Sequence, residues 1–439
     1  MLKTLVGAFK NKDIRKKILY TLMILVIVRV GSLLPIPGVD TEYFSSLLSG
    51  INTGDLSYLS AFTGGSFERM SLFALSITPY ITSSIIMQLL AIAIPKLEEM
   101  QKEGEDGRKK IAAITRYVTI GLALIESIAM AVGFGRSGLI KGYQGFSTLH
   151  YIVSIMVVVA ALTAGSAMLM WLGERITENG VGNGISIVLL INIISGMPSD
   201  FATLYRTFVA PRTIAKGVLA AAIIIAILVV MVVLVCFLQD GERRIPVQYS
   251  QKVSGRKTFG GQSTNIPLKV NTAGVMPVIF ASSLMQFPVI IAQLFGKSYE
   301  WTRYLSSSYW CRVSAPKYSI GLILYVVLLI IFAYFYTSIT FNPIEVADNL
   351  KKAGGVIPGI TPGKSTSDYL NNILNYIVFV GAVGLLIIAL IPIMCTGFFN
   401  ASVSFGGTSV IIIVGVVLET LKQIESQMVN RYYKGFLSE

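Results

Sequence analysis

The chain has 439 residues, of which 54% are hydrophobic and only 13% charged, and it carries a formal net charge of +13. Soluble domains carry about a quarter charged residues, so this composition excludes an ordinary soluble enzyme. Cys236, Cys311 and Cys395 lie far apart and His150 is the only histidine, which leaves disulfide frameworks, zinc sites and histidine chemistry without support.

A spanning helix takes about 20 mostly apolar residues. In chain order the candidates are 18–34, 73–94, 117–134, 151–172, 184–197, 217–238, 274–295, 319–340, 374–393 and 408–421. The expected fold class is an all-α polytopic membrane protein with ten transmembrane helices. A charged amphipathic run precedes the first span and no small-residue cleavage site follows it, so no cleavable signal peptide is expected. Lys3, Lys10, Lys12, Arg15, Lys16 and Lys17 precede that span and favour a cytoplasmic N-terminus. Alternating from there puts about 25 Lys and Arg on the cytoplasmic side and about 10 on the other, and returns the C-terminus to the cytoplasm. The basic excess then reads as positive-inside retention plus attraction to anionic lipid, with no need of nucleic acid.

Between the first span and Phe73 lies a short apolar piece, DLSYLSAFTGGSFERMS. Leu56 to Phe62 is too short to cross, so it must lie on the surface or re-enter the protein, and Gly64 and Gly65 follow it. The second span carries Ser76, Thr78, Thr82, Ser83, Ser84 and Gln88 among its isoleucines, a soft polar side that suits a wet path better than lipid. Its charged continuation, KLEEMQKEGEDGRKK, cannot enter a bilayer and stops it. Ile77 and Ile81, four apart, share a helix face. Glu126, inside the third span, reads as a near-surface carboxylate.

The fifth span looks short and opens with ENGVGNGIS, where Gly180, Gly182 and Gly184 weaken helix and permit close approach. A tight turn and a broken segment beside a transport path both fit this string. Ile185 and Leu189 repeat the spacing of four, for which core packing is the plain alternative. The loops at 96–116, 239–273 and 341–373 hold most of the charge. The second interleaves Arg243, Arg244, Lys252, Arg256 and Lys257 with Tyr249 and Phe259; the third holds Lys351, Lys352 and the stiff turn string GGVIPGITPGKST. A solvated basic face and a docking surface for a large, partly acidic partner are the two readings.

These residues resemble the SecY/Sec61-alpha family, the central channel subunit of the bacterial Sec protein translocase, nearly end to end. The strings that carry the likeness are RVGSLLPIPGVD (29–40), FTGGSFERMSLFALSITPYITSSIIMQLL (62–90), KEGEDGRKKI (102–111), TENGVGNGISI (177–187), GERRIPVQYSQ (241–251), QSTNIPLKVNTAGVMPVIFASS (262–283), FNPIEVADNLKKAGG (341–355) and FGGTSVI (405–411). The resemblance implies two pseudo-symmetric five-helix halves, 1–200 and 201–439, forming an hourglass. It implies a plug near 56–67, carried by Leu56, Tyr58, Leu59, Phe62, Gly64 and Gly65. A pore ring falls on Ile77, Ile81, Ile185, Leu189, Ile279 and Ile412. The second and seventh spans become a lateral gate, with Thr82, Gln88, Ser282 and Ser283 on its seam; Glu126 lining that gate or reaching the outer interface is the alternative to a near-surface carboxylate.

The implied function is a protein-conducting channel in the plasma membrane, without enzymatic activity, cofactor or metal. It passes unfolded secretory polypeptides across and releases transmembrane segments into lipid. The implied partners are SecE, SecG, the SecA ATPase, the ribosome, polypeptides bearing signal peptides, and anionic lipids, with no nucleic acid other than ribosomal RNA. Docking falls on Arg243, Arg244, Lys252, Arg256, Lys257, Lys351, Lys352 and Lys364. The family's PGIRPG turn reads PGITPG here, with Thr361 where a basic residue is usual and Lys364 as the nearby substitute. A secondary transporter of ions or small solutes is the alternative, since broken helices and repeats fit it too. It is disfavoured because intramembrane ionisable groups are few, essentially Arg29 and Glu126. A membrane enzyme ranks last: there is no carboxylate pair at one depth and no phosphate loop, so energy must come from a partner or a gradient.

Overall fold

The computed structural model describes residues 7, 9–50, 63–134, 148–211, 214–249, 252–254, 257–259, 263–294, 300–312, 316–399 and 407–435. Its helices are α1 (Lys12–Leu33), α2 (Thr41–Gly50), α3 (Thr78–Ala93), α4 (Pro95–Lys102), α5 (Glu105–Phe134), α6 (Thr148–Asn179), α7 (Gly184–Leu204), α8 (Ile214–Asp240), α9 (Met276–Leu294), α10 (Thr302–Leu305), α11 (Ile320–Thr340), α12 (Pro343–Lys352), α13 (Lys364–Phe399) and α14 (Gly407–Gly435). Each of the ten candidate segments holds a helix. Six are long and apolar enough to cross a bilayer by length and composition, and a seventh is added if α3 and α4, bent by 106° at their junction, form one broken span. The other three, α1, α9 and α14, carry charge or fall short in apolar length.

Apolar side chains cover the outside as well as the inside. Leu19, Leu22, Met23 and Val26 of α1 and Val218, Leu219, Ile223 and Ile225 of α8 are exposed, and only 11% of the apolar window of α8 is buried. A soluble monomer does not leave such surfaces open. A bilayer solvates them, and intrahelical hydrogen bonding is what lets the backbone sit there.

The helices pack in two groups. In the first, α3 lies on α5, α5 on α6, and α6 on α7 and α1; in the second, α9 lies on α11, α11 on α13, and α13 and α8 on α14. The groups meet along two seams, α7 against α14 and α5 against α9. The largest apolar core lies between them, drawing on α1, α3, α6, α7, α8, α9, α11, α13 and α14. A second core lies under the loop after α1, where Phe44, Phe67 and Phe134 stack edge to face with centroids 5.1–6.5 Å apart.

Three expectations are corrected. The fold is mostly helical but not all-α, because 239–273 contains β1 (Glu242–Tyr249), β2 (Lys252–Ser254), β3 (Lys257–Phe259) and β4 (Ser263–Lys269), joined by β5 (Gly355–Val356). The antiparallel order β4-β1-β5 pairs Ile245 with Ile266 and Gln248 with Val356, so both basic loops share one small sheet. Alternation explains it: Ile245 and Val247 turn inward onto Leu350, Leu370 and Ile373, while Arg244 and Pro246 face out. The fifth span is not short, since α7 continues past Pro198 and through one π-turn at Tyr205–Val209. The second span is also not helical from Phe73, because residues 64–77 form turns and Ile77 caps α3, with Pro79 in its first turn.

Candidate functional site: an apolar waist between the two seams

The six ring candidates come from four helix termini or faces and belong to one large apolar cluster. Ile77 caps α3 and Ile81 sits one turn on, its N–H donating to the Ile77 carbonyl at 3.1 Å. Ile185 and Leu189 lie on the first two turns of α7, Ile279 on the first turn of α9, and Ile412 on the second turn of α14. Ile77, Leu189, Ile279 and Ile412 are buried and Ile81 and Ile185 half-buried, all in the same apolar cluster. Ile77 and Ile412 are 1% and 0% exposed.

The glycines beside it set its dimensions. A Cβ at Gly184 would run into the Gly173 carbonyl of α6, and one at Gly182, where φ is +82°, would press on Ile187 and Thr420. The Asn183 side chain accepts from the N–H of Ile185 and Ser186, capping α7. The ENGVGNGIS string therefore starts a capped helix that comes close to α6. It does not break the span.

Around the waist the polar residues of the second span do a different job from the one expected. Ser83 is buried and donates to the Thr115 carbonyl of α5 at 2.9 Å, tying the two helices together. Ser76 is buried with φ +53°, and Asn192 Nδ2 of α7 donates to its Oγ at 3.1 Å, while Ser166 of α6 donates to its carbonyl at 3.4 Å. Residues expected to line a wet path are thus partly spent on helix packing. Asn192 was not anticipated; a polar side chain on the inward face of an apolar run, VLLINII, was the signal available.

The gate candidates are half-buried, except Ser282, which is buried. Thr82 donates to Thr78 O, Gln88 Nε2 to Ser84 Oγ at 3.4 Å, and Ser282 to the Val278 and Ile279 carbonyls, so each bonds within its own helix. Across this seam α9 packs on α5. Of the plug candidates, Leu56, Tyr58, Leu59 and Phe62 lie outside the described residues. Gly64 and Gly65 form turns with φ of +62° and +80°. A Cβ on Gly64 would meet the Asn192 carbonyl oxygen at 2.7 Å, so the base of this segment rests on the helix that carries Leu189.

Of the docking candidates, Arg243, Arg244, Lys351, Lys352 and Lys364 are exposed. Lys252 and Lys257 fall on β2 and β3, and Arg256 lies outside the described residues. Thr361 is exposed at the turn, its carbonyl accepting from Thr366 Oγ1 at 2.9 Å, which pins the loop to the start of α13. Glu126 is half-buried midway along α5, between exposed Ile125 and Ile128.

The SecY family model matches residues 71–421. The protein translocase subunit SecY of Streptomyces galbus is 44% identical over 448 residues and that of Bacillus subtilis strain 168 is 42% identical over 445, each covering 100% of both chains. Among solved structures, one of a protein-conducting channel is similar with a TM-score of 0.61 at 18% identity, covering 94% of this chain and 93% of that one. A SecY structure concerned with the plug domain and the closed, sealed state gives a TM-score of 0.64 at 18% identity, covering 94% and 92%. Family match, full-length identity and shared fold agree: the chain belongs to the SecY family.

Proposed function

We propose that this multi-pass membrane protein is a protein-conducting channel that passes unfolded polypeptides across the plasma membrane and lets apolar segments leave sideways into lipid. The observation that carries the reading is that Ile77, Ile81, Ile185, Leu189, Ile279 and Ile412, from both helix groups, share one apolar cluster. A narrow aliphatic constriction sheds water and so blocks ions. It also offers no polar group to hold a passing chain of arbitrary sequence. The ring draws on both helix groups, so parting them widens it without unfolding any helix. All ten candidate spans cross in this reading, in two halves at 1–200 and 201–439 with both termini cytoplasmic. The turn at Gly64 and Gly65 is then the base of a plug, and the α9 seam is the lateral exit.

The protein does no chemistry of its own. Movement is driven from outside, by a ribosome or an ATPase motor such as SecA seated on the shared sheet with exposed Arg243, Arg244, Lys351 and Lys352. Sec61, a neighbour of similar fold, is known in a ribosome–channel complex, with a TM-score of 0.60 at 17% identity, covering 94% of this chain and 93% of that one. Small helical subunits of the SecE and SecG kind would cover exposed apolar faces such as that of α8. The test is crosslinking: single cysteines at Ile81 and Ile279 should each capture a stalled secretory chain in the active complex. No adduct at either position would sink the pore assignment.

A further inference from the structure

The chain between α9 and α11 folds back onto the helix ends as a cap. Trp310 is buried in the central apolar cluster, and its Nε1 donates to the Tyr304 carbonyl at 2.8 Å. Cys311, with φ at +58°, donates its N–H to Ser319 Oγ at 3.2 Å, and a Cβ on Gly397 of α13 would meet the Cys311 side chain at 2.7 Å. On this base cations and tyrosines interleave. Arg312 and Arg303 lie over the Tyr309 ring, 4.9 and 5.8 Å from its centroid, and Lys317 lies 5.0 Å from the centroid of Tyr318. The Tyr318 ring meets those of Tyr304 and Tyr309 edge to face, at 5.0 and 5.9 Å. Among the described residues none of the three cations forms an ion pair with a carboxylate, and the Nε of Arg312 is buried without a hydrogen-bond partner.

Residues 295–319 hold four Lys and Arg against one acidic residue, Glu300. Fixed cations without counter-charges attract anions, and the local chemistry selects which. Nucleic acid needs open ring faces on which its bases can stack, but cations already lie over Tyr309 and Tyr318. A guanidinium stacked on a ring still presents its N–H edge, which matches a carboxylate. Alternate side chains of an extended peptide recur about 7 Å apart on one side, a spacing that suits two guanidiniums sharing one ring. A chain in transit is a poor occupant, because a rigid cationic site would hold it and stall conduction. We propose that this cap docks an acidic, extended segment of a resident protein on the non-cytoplasmic side of the membrane. The side rests on the ten-span topology proposed for the channel; the cap's binding chemistry does not.

The test is fluorescence anisotropy of the full chain in neutral detergent with three labelled probes: an alternating Glu-Ser decapeptide, the matching Gln-Ser decapeptide and an oligothymidylate. Wild type should bind the Glu-Ser peptide, R303Q/R312Q should weaken it by roughly fivefold for each arginine, and R303K/R312K should keep part of the affinity. Equal affinity of wild type and R303Q/R312Q at matched thermal stability, or equal binding of the Gln-Ser peptide, overturns the docking site. Tighter binding of the oligothymidylate overturns the choice of an acidic peptide. Should R303Q/R312Q not fold, Lys317→Gln at its exposed position decides by the same readings. Sidedness is read separately: in a C236S/C311S/C395S background, Lys317→Cys should react with a membrane-impermeant maleimide added outside intact cells. Labelling only from the cytoplasmic face, in inverted vesicles, overturns the outer side together with the ten-span topology. Labelling from outside without binding of the Glu-Ser peptide overturns the docking site alone.

Discussion

Asn192 Nδ2 donates to Ser76 Oγ at 3.1 Å, and both residues are buried. The bond joins α7 one turn beyond Leu189 to the residue immediately before Ile77, so it clasps two walls of the waist. It is reinforced where it stands: Ser166 holds the Ser76 carbonyl and Gly64 rests on the Asn192 carbonyl. A buried donor left without its acceptor costs about 1–3 kcal/mol. The clasp therefore biases the channel towards its closed form if opening separates the two residues.

Asn192→Leu should accordingly raise resting ion leak several-fold in planar bilayers while the protein still folds. An unchanged conductance would mean that Ser76 and Asn192 move together on opening.

Ser76 also stores backbone strain, because its φ of +53° lies in the left-handed region that costs a non-glycine residue about 1–2 kcal/mol. Ser76→Ala keeps the strain and loses the acceptor, whereas Ser76→Gly loses the acceptor but relieves the strain. Thermal unfolding should rank wild type and Ser76→Gly above Ser76→Ala. The reverse order for the two variants would show that the left-handed backbone is not retained.

Gly64→Ala should destabilise by about 1–3 kcal/mol, since a left-handed φ and a Cβ 2.7 Å from the Asn192 oxygen act together. A melting temperature equal to wild type would show that this segment does not rest on α7.

Ring substitutions Ile77→Ser and Ile412→Ser should increase ion conductance, because hydroxyls wet a constriction that aliphatic groups keep dry. If conductance does not change, the seal lies elsewhere, at the segment before Thr63.

Burial pushes the Cys311 thiol above its ordinary range. The thiolate is the reactive form, so in a Cys236→Ser/Cys395→Ser background alkylation by iodoacetamide should be slower than for a free thiol at neutral pH. Its rate should still be climbing with pH where an ordinary thiol has levelled off. A plateau at the ordinary range would show that Cys311 is open to water.

Much of this protein was readable along the chain because a bilayer leaves helices little freedom. Apolar length, the charged stop after Pro95 and the basic N-terminal flank follow from local solvation. Each of the ten apolar runs accordingly contains a helix. The isoleucines at spacing four could be named, but not told from ordinary core residues, since Ile81 and Ile85 look alike until α7, α9 and α14 arrive. The sheet under the basic loops was missed because its pairing joins Gln248 to Val356, more than a hundred residues away. The longer fifth helix was missed because Pro198 and its polar neighbours read as an end.

The amino-acid order alone determined that the chain lives in a membrane, where its helices lie and which loops are basic, all consequences of transferring side chains between water and lipid. The tertiary structure alone decided that six aliphatic residues from four helices share one core, that Ser76 clasps Asn192, and that Gly64 rests on α7. These depend on contacts between segments far apart in the chain, which no local preference encodes.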